Sequence, residues 1–248
     1  MMHPTFLFLV FSIASSSAQF AAFPTAKSCT SIKATIIVAK GKSYDGKNAC
    51  LVATTALGKG DQSEGQKPIF QIEEGGSVSN VVFGANAADG IHCVGSCAIK
   101  NVWWTNVGED AASFKGGASS KYTITGGGVK DASDKVLQHN GGGSLTIQDF
   151  QADNIGKLYR SCGNCKTQYK RSVTLNNVKL TNVKVAVVGI NSNYGDTATI
   201  KGLTLVGKKV PICEKYQGTN NNSQEPKALG EGADGKNCIY STSDVKYQ

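Results

Sequence analysis

Proline is scarce in this chain: five residues in 248, with only three histidines, two tryptophans and two methionines. Few prolines suit a fold in which most backbone N–H groups are committed to a hydrogen-bonded ladder. No helical periodicity persists beyond the first two dozen residues, so the hydrophobic pattern gives no support for a helix-built fold. Asp, Glu, Lys and Arg are all absent from Met1 to Ala22, and no later stretch resembles a membrane span. Basic motifs such as Lys208-Lys209 lack interleaved aromatics, which argues against a nucleic-acid partner.

The uncharged start has a function of its own. Thr5 to Ala14 is almost wholly apolar and Ser16-Ser17-Ala18 supplies small residues for cleavage, so residues 1–18 read as a secretory signal peptide and 19–248 as one mature domain. The expected product is secreted, extracellular and soluble, not membrane-bound. Export changes the meaning of the eight cysteines (Cys29, Cys50, Cys93, Cys97, Cys162, Cys165, Cys213 and Cys238), an even number that suits four disulfides. Zinc is the competing reading, since Cys162-x-x-Cys165 has ligand spacing and His92 adjoins Cys93, but no second pair matches it. Local pairing of Cys93 with Cys97 and of Cys162 with Cys165 is one option; Cys93 with Cys162 is excluded by the register below. Asn221-Asn222-Ser223 is a glycosylation sequon. The formal charge of +8 falls entirely on the mature chain and favours a polyanionic partner.

Six segments repeat an apolar–x–turn–apolar pattern, with turn residues at Asn80, Asn101, Gly126, Asp149, Asn177 and Gly202. Spacings in the twenties, with β-branched residues and one Asn, Asp or Gly per segment, predict the coils of a parallel β-helix. Val78, Ile99, Ile124, Ile147, Leu175 and Ile200, two residues before each turn, should stack into an interior ladder. The turn residues should form a column, because Asn and Gly tolerate positive φ. Residues 23–74 read as an amino-terminal cap with irregular coils, carrying strand signals at Ile36–Val38 and Ile69–Ile72. Residues 208–248 read as a closing tail stapled by disulfides.

That register places charge. Asp89, Asp110 and Lys135 each fall nine residues past their turn, Glu109 adjoins Asp110, and Arg160 is eleven past Asp149. With coils about 4.8 Å apart, Asp89, Glu109 and Asp110 should converge on one edge with Lys135 and Arg160 on the next coils. Carboxylates so close repel unless neutralised. In an exported protein Ca2+ is the abundant cation that prefers such oxygens. The bland alternative is a solvated acidic edge paired with lysines.

The motifs Gln62-Ser-Glu-Gly-Gln-Lys-Pro68, Ala88-Asp-Gly-Ile-His-Cys93, Asn101-Val-Trp-Trp104, Val107-Gly-Glu-Asp110 with Phe114-Lys-Gly116, Asp134-Lys135 with Gln138-His-Asn-Gly141, and Tyr159-Arg-Ser-Cys-Gly-Asn-Cys165 resemble those of the secreted pectate lyases of polysaccharide lyase family 3. The resemblance runs over most of residues 42–240. It implies an all-β, single-domain, right-handed parallel β-helix, the pectin-lyase-like solenoid, acting as a monomer. It also implies calcium-dependent β-elimination on de-esterified homogalacturonan (polygalacturonate) to give 4,5-unsaturated oligogalacturonides. Calcium would be held by Asp89, Glu109 and Asp110, with Lys115, Lys135 and Arg160 binding the polyanion.

The C5 proton should be taken by the Lys135–Arg160 pair. Lys135 is the favoured base because lysine begins from a lower pKa and neighbouring cations and calcium should lower it further, while the forked Arg160 suits a carboxylate. One of Trp103 and Trp104 should be core, and the other is a candidate for a sugar cleft. His139 should stabilise a turn, and His92 has a weaker claim to function. Two other classes stay open at this stage: a polygalacturonase-type hydrolase, and a non-catalytic solenoid that binds acidic polysaccharide.

Overall fold

The computed structural model describes residues 20–248; the expected signal peptide at 1–18 lies outside them. Every strand belongs to one connected network in which two faces are built coil by coil. The long face stacks Ser43–Ala53, Gly76–Phe83, Cys97–Trp104, the first halves of Lys121–His139, Gly143–Ser161 and Arg171–Asn191, and then Thr197–Val206. The short face stacks Ile36–Val38, Phe70–Ile72, Ile91–Cys93 and Ala112–Phe114. It continues through the ends of the same three long strands to Cys213–Gln217. Pairing along both faces is parallel, as the repeat predicts.

The interior ladder forms as expected: Val78, Ile99, Ile124, Ile147, Leu175 and Ile200 are successive partners, and all are buried. The turn column is equally regular, with φ between 51° and 70° from Asn80 to Gly202. Its side chains hydrogen-bond along the stack. Asn101 Nδ2 donates to Asn80 Oδ1 at 2.8 Å, and Asn177 Nδ2 donates to Asp149 Oδ1 at 2.6 Å. A second bend follows at Asp131, Asn154, Asn182 and Gly207, all again at positive φ. Left-handed backbone at these positions explains why Asn, Asp and Gly fill them.

The strand signals of residues 23–74 hold: Ile36–Val38 and Phe70–Ile72 join the short face, Thr30–Ile32 pairs with the long one, and Ser43–Ala53 is already a long-face strand. Trp104 is core, stacked on Phe83 at 5.3 Å, and Trp103 is nearly as buried but is not among the residues lining the groove of the acidic cluster. Phe23 packs edge-on against Trp103 at 5.1 Å, and Ala26 and Cys29 complete the cover on the outer side of the long face. The segment before the first coil therefore shields an apolar strip that would otherwise face water.

The cysteines form four disulfides: Cys29–Cys50, Cys93–Cys97, Cys162–Cys165 and Cys213–Cys238. Zinc ligation through Cys162 and Cys165 is thereby excluded. The last disulfide fastens the tail, which adds Cys213–Gln217 to the short face and Cys238–Ile239 to the long one.

Candidate active site

Short-face register fixes the site. Ile91, Ala112, Leu137 and Tyr159 are successive partners pointing inward. Two residues before each stand Asp89, Asp110, Lys135 and Lys157, with Lys135 and Lys157 directly paired. Gly90 makes the approach of the first two coils possible: its φ is 48°, and a Cβ there would lie 2.0 Å from the Ala111 carbonyl oxygen.

Carboxylate oxygens of Asp89, Glu109 and Asp110 lie within 4.8 Å of one another. Asp89 and Asp110 are buried. One oxygen of Asp89 meets His92 Nε2 at 2.5 Å, and one of Asp110 accepts from the Ser113 hydroxyl at 3.1 Å. The other oxygen of each, Asp89 Oδ1 and Asp110 Oδ1, is buried with no hydrogen-bond partner. Unpaired anionic oxygens in that state are costly. Burial, joined by the charges of Asp89 and Glu64, pushes the Glu109 carboxyl up to about 7. Burial likewise raises Asp110 well above the usual carboxylate range. A cluster of hard oxygen donors with orphaned lone pairs fits a hard divalent cation such as Ca2+.

Cations line the other side. Lys135 Nζ lies 2.7 Å from Asp134 Oδ2 and 4.0 Å from Asp110 Oδ1. Burial works to lower its pKa, but the carboxylates of Asp110, Asp134 and Glu109 outweigh it and the net direction is upward. These carboxylates, and not the neighbouring cations, set that direction; the lowering expected of Lys135 includes the charge of a calcium ion. Lys115 Nζ meets the His92 ring nitrogens at 3.1 and 3.2 Å. These side chains, with Glu64, Gln138 and the Asn164–Lys166 segment, line a groove of about 480 Å³.

Arg160 stands apart from this row. It is buried, donates from Nη1 to Asn191 Oδ1 at 3.2 Å, and lies over the Tyr216 ring at 4.0 Å. Burial pulls its pKa below the usual arginine range. The structure thus brings Asp89, Glu109, Asp110, Lys115 and Lys135 into one groove; Arg160 is not among its lining residues, and its guanidinium lies close to Gly163 of the Cys162–Cys165 loop.

Two residues escaped the sequence reading, and a third, His92, carried only a weak claim to function there. His92 joins Asp89 to Lys115. Glu64, within a quoted motif but unassigned, lines the groove. Lys157 was legible in the short-face register but not by counting from the turn, because a bulge falls between Ile155 and Lys157. His139 behaves as expected: it bonds Tyr159 Oη at 2.9 Å and the Gly142 carbonyl at 3.1 Å, and burial lowers its pKa to about 3.

The pectate lyase family profile matches residues 20–223. Pectate lyase E of Emericella nidulans is 51% identical over 181 residues, covering 73% of this chain and 70% of that protein. A probable pectate lyase E of Aspergillus clavatus is 48% identical over 223 residues, covering 88% and 83%. Among solved structures, the catalytic domain of pectate lyase PelI from Erwinia chrysanthemi superimposes with a TM-score of 0.76 at 32% identity. That match covers 88% of this chain and all of the other. PelI in complex with tetragalacturonic acid gives 0.73 at 32% identity, covering 90% and 72%. Repeat, register, acidic cluster and relatives agree, and the chain belongs to the pectate lyase family.

Proposed function

We propose that this pectate lyase is exported and cleaves de-esterified homogalacturonan by calcium-dependent β-elimination. The observation that carries the calcium reading is the pair of buried oxygens on Asp89 and Asp110 that accept no hydrogen bond, beside Glu109. The PelI relative bound to tetragalacturonic acid supports an acidic galacturonan substrate, as does the cationic wall of the groove.

Asp89, Glu109 and Asp110 would hold the calcium ion. When bound, it supplies positive charge that draws electron density from the substrate's uronate carboxylate and makes the C5 proton more acidic. Lys115 and Arg160 bind uronate carboxylates, Lys115 as a point charge and Arg160 through its forked donors. Lys135 Nζ takes the C5 proton, the C5–H pair becomes the C4=C5 double bond, and the oxygen leaving C4 takes a proton from water to become a hydroxyl. Lys135 is favoured over Arg160 by position. It lines the groove beside the acidic cluster, whereas Arg160 is buried and engaged with Asn191 and Tyr216. A divalent cation among the carboxylates would remove the negative charge that now holds the lysine proton in place.

Polygalacturonate digestion followed at once by unsaturated-uronide absorbance and by reducing-end release tests this reading. Equal release of both, abolished by chelator and restored by calcium, is expected. Reducing ends without absorbance would mean hydrolysis, and neither signal would mean binding without turnover.

A further inference from the structure

Arg160 is held by a built socket, and most of that socket comes from later coils. On the outward ladder of the short face, Gln138, Arg160, Gly189 and Glu214 are successive partners. At the coil after Arg160 the sequence places glycine, so no side chain stands between the arginine and the tail strand. A Cβ on Gly189 would lie 3.0 Å from Arg160 Cδ and 3.4 Å from the Tyr216 ring. The arginine stem fills that space, and its guanidinium lies over the Tyr216 ring at 4.0 Å. Asn191 Oδ1 accepts from Arg160 Nη1 at 3.2 Å, and Asn191 Nδ2 donates to the Cys162 carbonyl at 2.8 Å.

Tyr216 is itself fixed. Its hydroxyl donates to Glu214 Oε2 at 2.6 Å, and the same oxygen lies 3.6 Å from Lys157 Nζ. The ring belongs to strand Cys213–Gln217, which the Cys213–Cys238 disulfide ties to the long face. Burial and the neighbouring Glu214 push the phenol up to about 12, so it stays a hydrogen-bond donor at working pH. A planar cation over an aromatic face in a desolvated site has one favoured orientation, set by the ring.

We propose that Tyr216 is the positioning residue for Arg160: the tail strand supplies the aromatic platform that aims the guanidinium at the substrate's uronate carboxylate. The proposal rests on the reading of Arg160 as a substrate-gripping residue. Misorientation of the fork should weaken substrate binding before it affects proton transfer at Lys135, so the effect should appear mainly in KM.

The test measures KM and kcat for polygalacturonate in Tyr216→Ala, Tyr216→Leu and Tyr216→Phe, alone and with Arg160→Ala. Tyr216→Ala and Tyr216→Leu should raise KM about thirtyfold, the scale of one desolvated cation–π contact, with a smaller change in kcat. Tyr216→Phe keeps the ring and should return KM to within about threefold of the parent value. In the Arg160→Ala background, Tyr216→Leu should add less than about a twofold change, because nothing remains for the ring to orient. The leucine variant keeps apolar bulk if the alanine variant fails to fold. Equal losses in both backgrounds, or a phenylalanine variant as poor as leucine, would overturn the proposal. If Arg160→Ala raises KM while Tyr216→Leu leaves it unchanged, the platform falls and the reading of Arg160 stands. If Arg160→Ala leaves KM unchanged, both fall.

Discussion

Lowering the pH from 8 to 5 should release calcium from the site while the coils stay folded. Glu109 is the group that sets this behaviour. Burial and the adjacent Asp89 hold its carboxyl at about 7, against an ordinary value of 4.5. A cation competes with that proton, since the carboxylate must be ionised to act as a ligand. At pH 5, two pH units below about 7, roughly one Glu109 in a hundred is ionised, so apparent calcium affinity should fall about a hundredfold. Asp110, also raised by burial, steepens the fall. Linkage works in the same direction on stability. A carboxyl whose folded pKa is raised favours the fold below its ordinary pKa, and that contribution is lost as pH rises through about 7. Metal-free protein should therefore lose stability between pH 5 and 8, and the gain in Tm on adding calcium should be larger at pH 8. Calorimetric titration with calcium at four pH values, with melting curves alongside, reads both effects. Glu109→Gln should flatten the pH slope of binding. An affinity constant from pH 5 to 8 in the parent protein would refute the argument.

Other expectations follow from the same geometry. Lys135→Ala should abolish turnover with calcium affinity preserved, and Arg160→Lys should chiefly weaken substrate binding; near-normal turnover in the first with near-total loss in the second would move the base to Arg160. Because the carboxylates raise Lys135, the fraction in the neutral, basic form grows with pH, and the rate of unsaturated-product formation should climb into the alkaline range. Ile147→Ala, in the middle of the interior ladder, should cost about 2–5 kcal/mol in denaturant unfolding without altering calcium affinity in the folded protein. Trp103→Ala should lower stability through its lost contact with Phe23 and leave KM unchanged, since the tryptophan is covered on the outer side of the long face.

The sequence was most informative where one backbone requirement recurs. Positive φ at each bend selects Asn, Asp or Gly, so the turn column could be counted, and the interior ladder two residues earlier came with it. Asp89, Asp110 and Lys135 became neighbours by the same count. Counting failed where the loop between the faces changes length: the bulge before Lys157 hid its pairing with Lys135. Which of Trp103 and Trp104 faces outward was not legible, because the cover over Trp103, Phe23, comes from a segment outside the repeat and carries no period. The contacts of His92 with Asp89 and Lys115 carry no sequence signal of their own, since they depend on the histidine facing outward beside the core-facing Cys93. Lys135 was read against calcium and neighbouring cations, whereas its nearest charged partners in the fold are the carboxylates of Asp110 and Asp134.

Diffraction from crystals of the Lys135→Ala protein, soaked with calcium and trigalacturonate, tests the central claim most directly. The account predicts cation density about 2.3–2.6 Å from oxygens of Asp89, Glu109 and Asp110, with a uronate carboxylate on the cation's open side. A second uronate carboxylate should lie within hydrogen-bond reach of Arg160. Calcium bound elsewhere, with the oligosaccharide outside the groove lined by Asp110, Lys115 and residue 135, would contradict it.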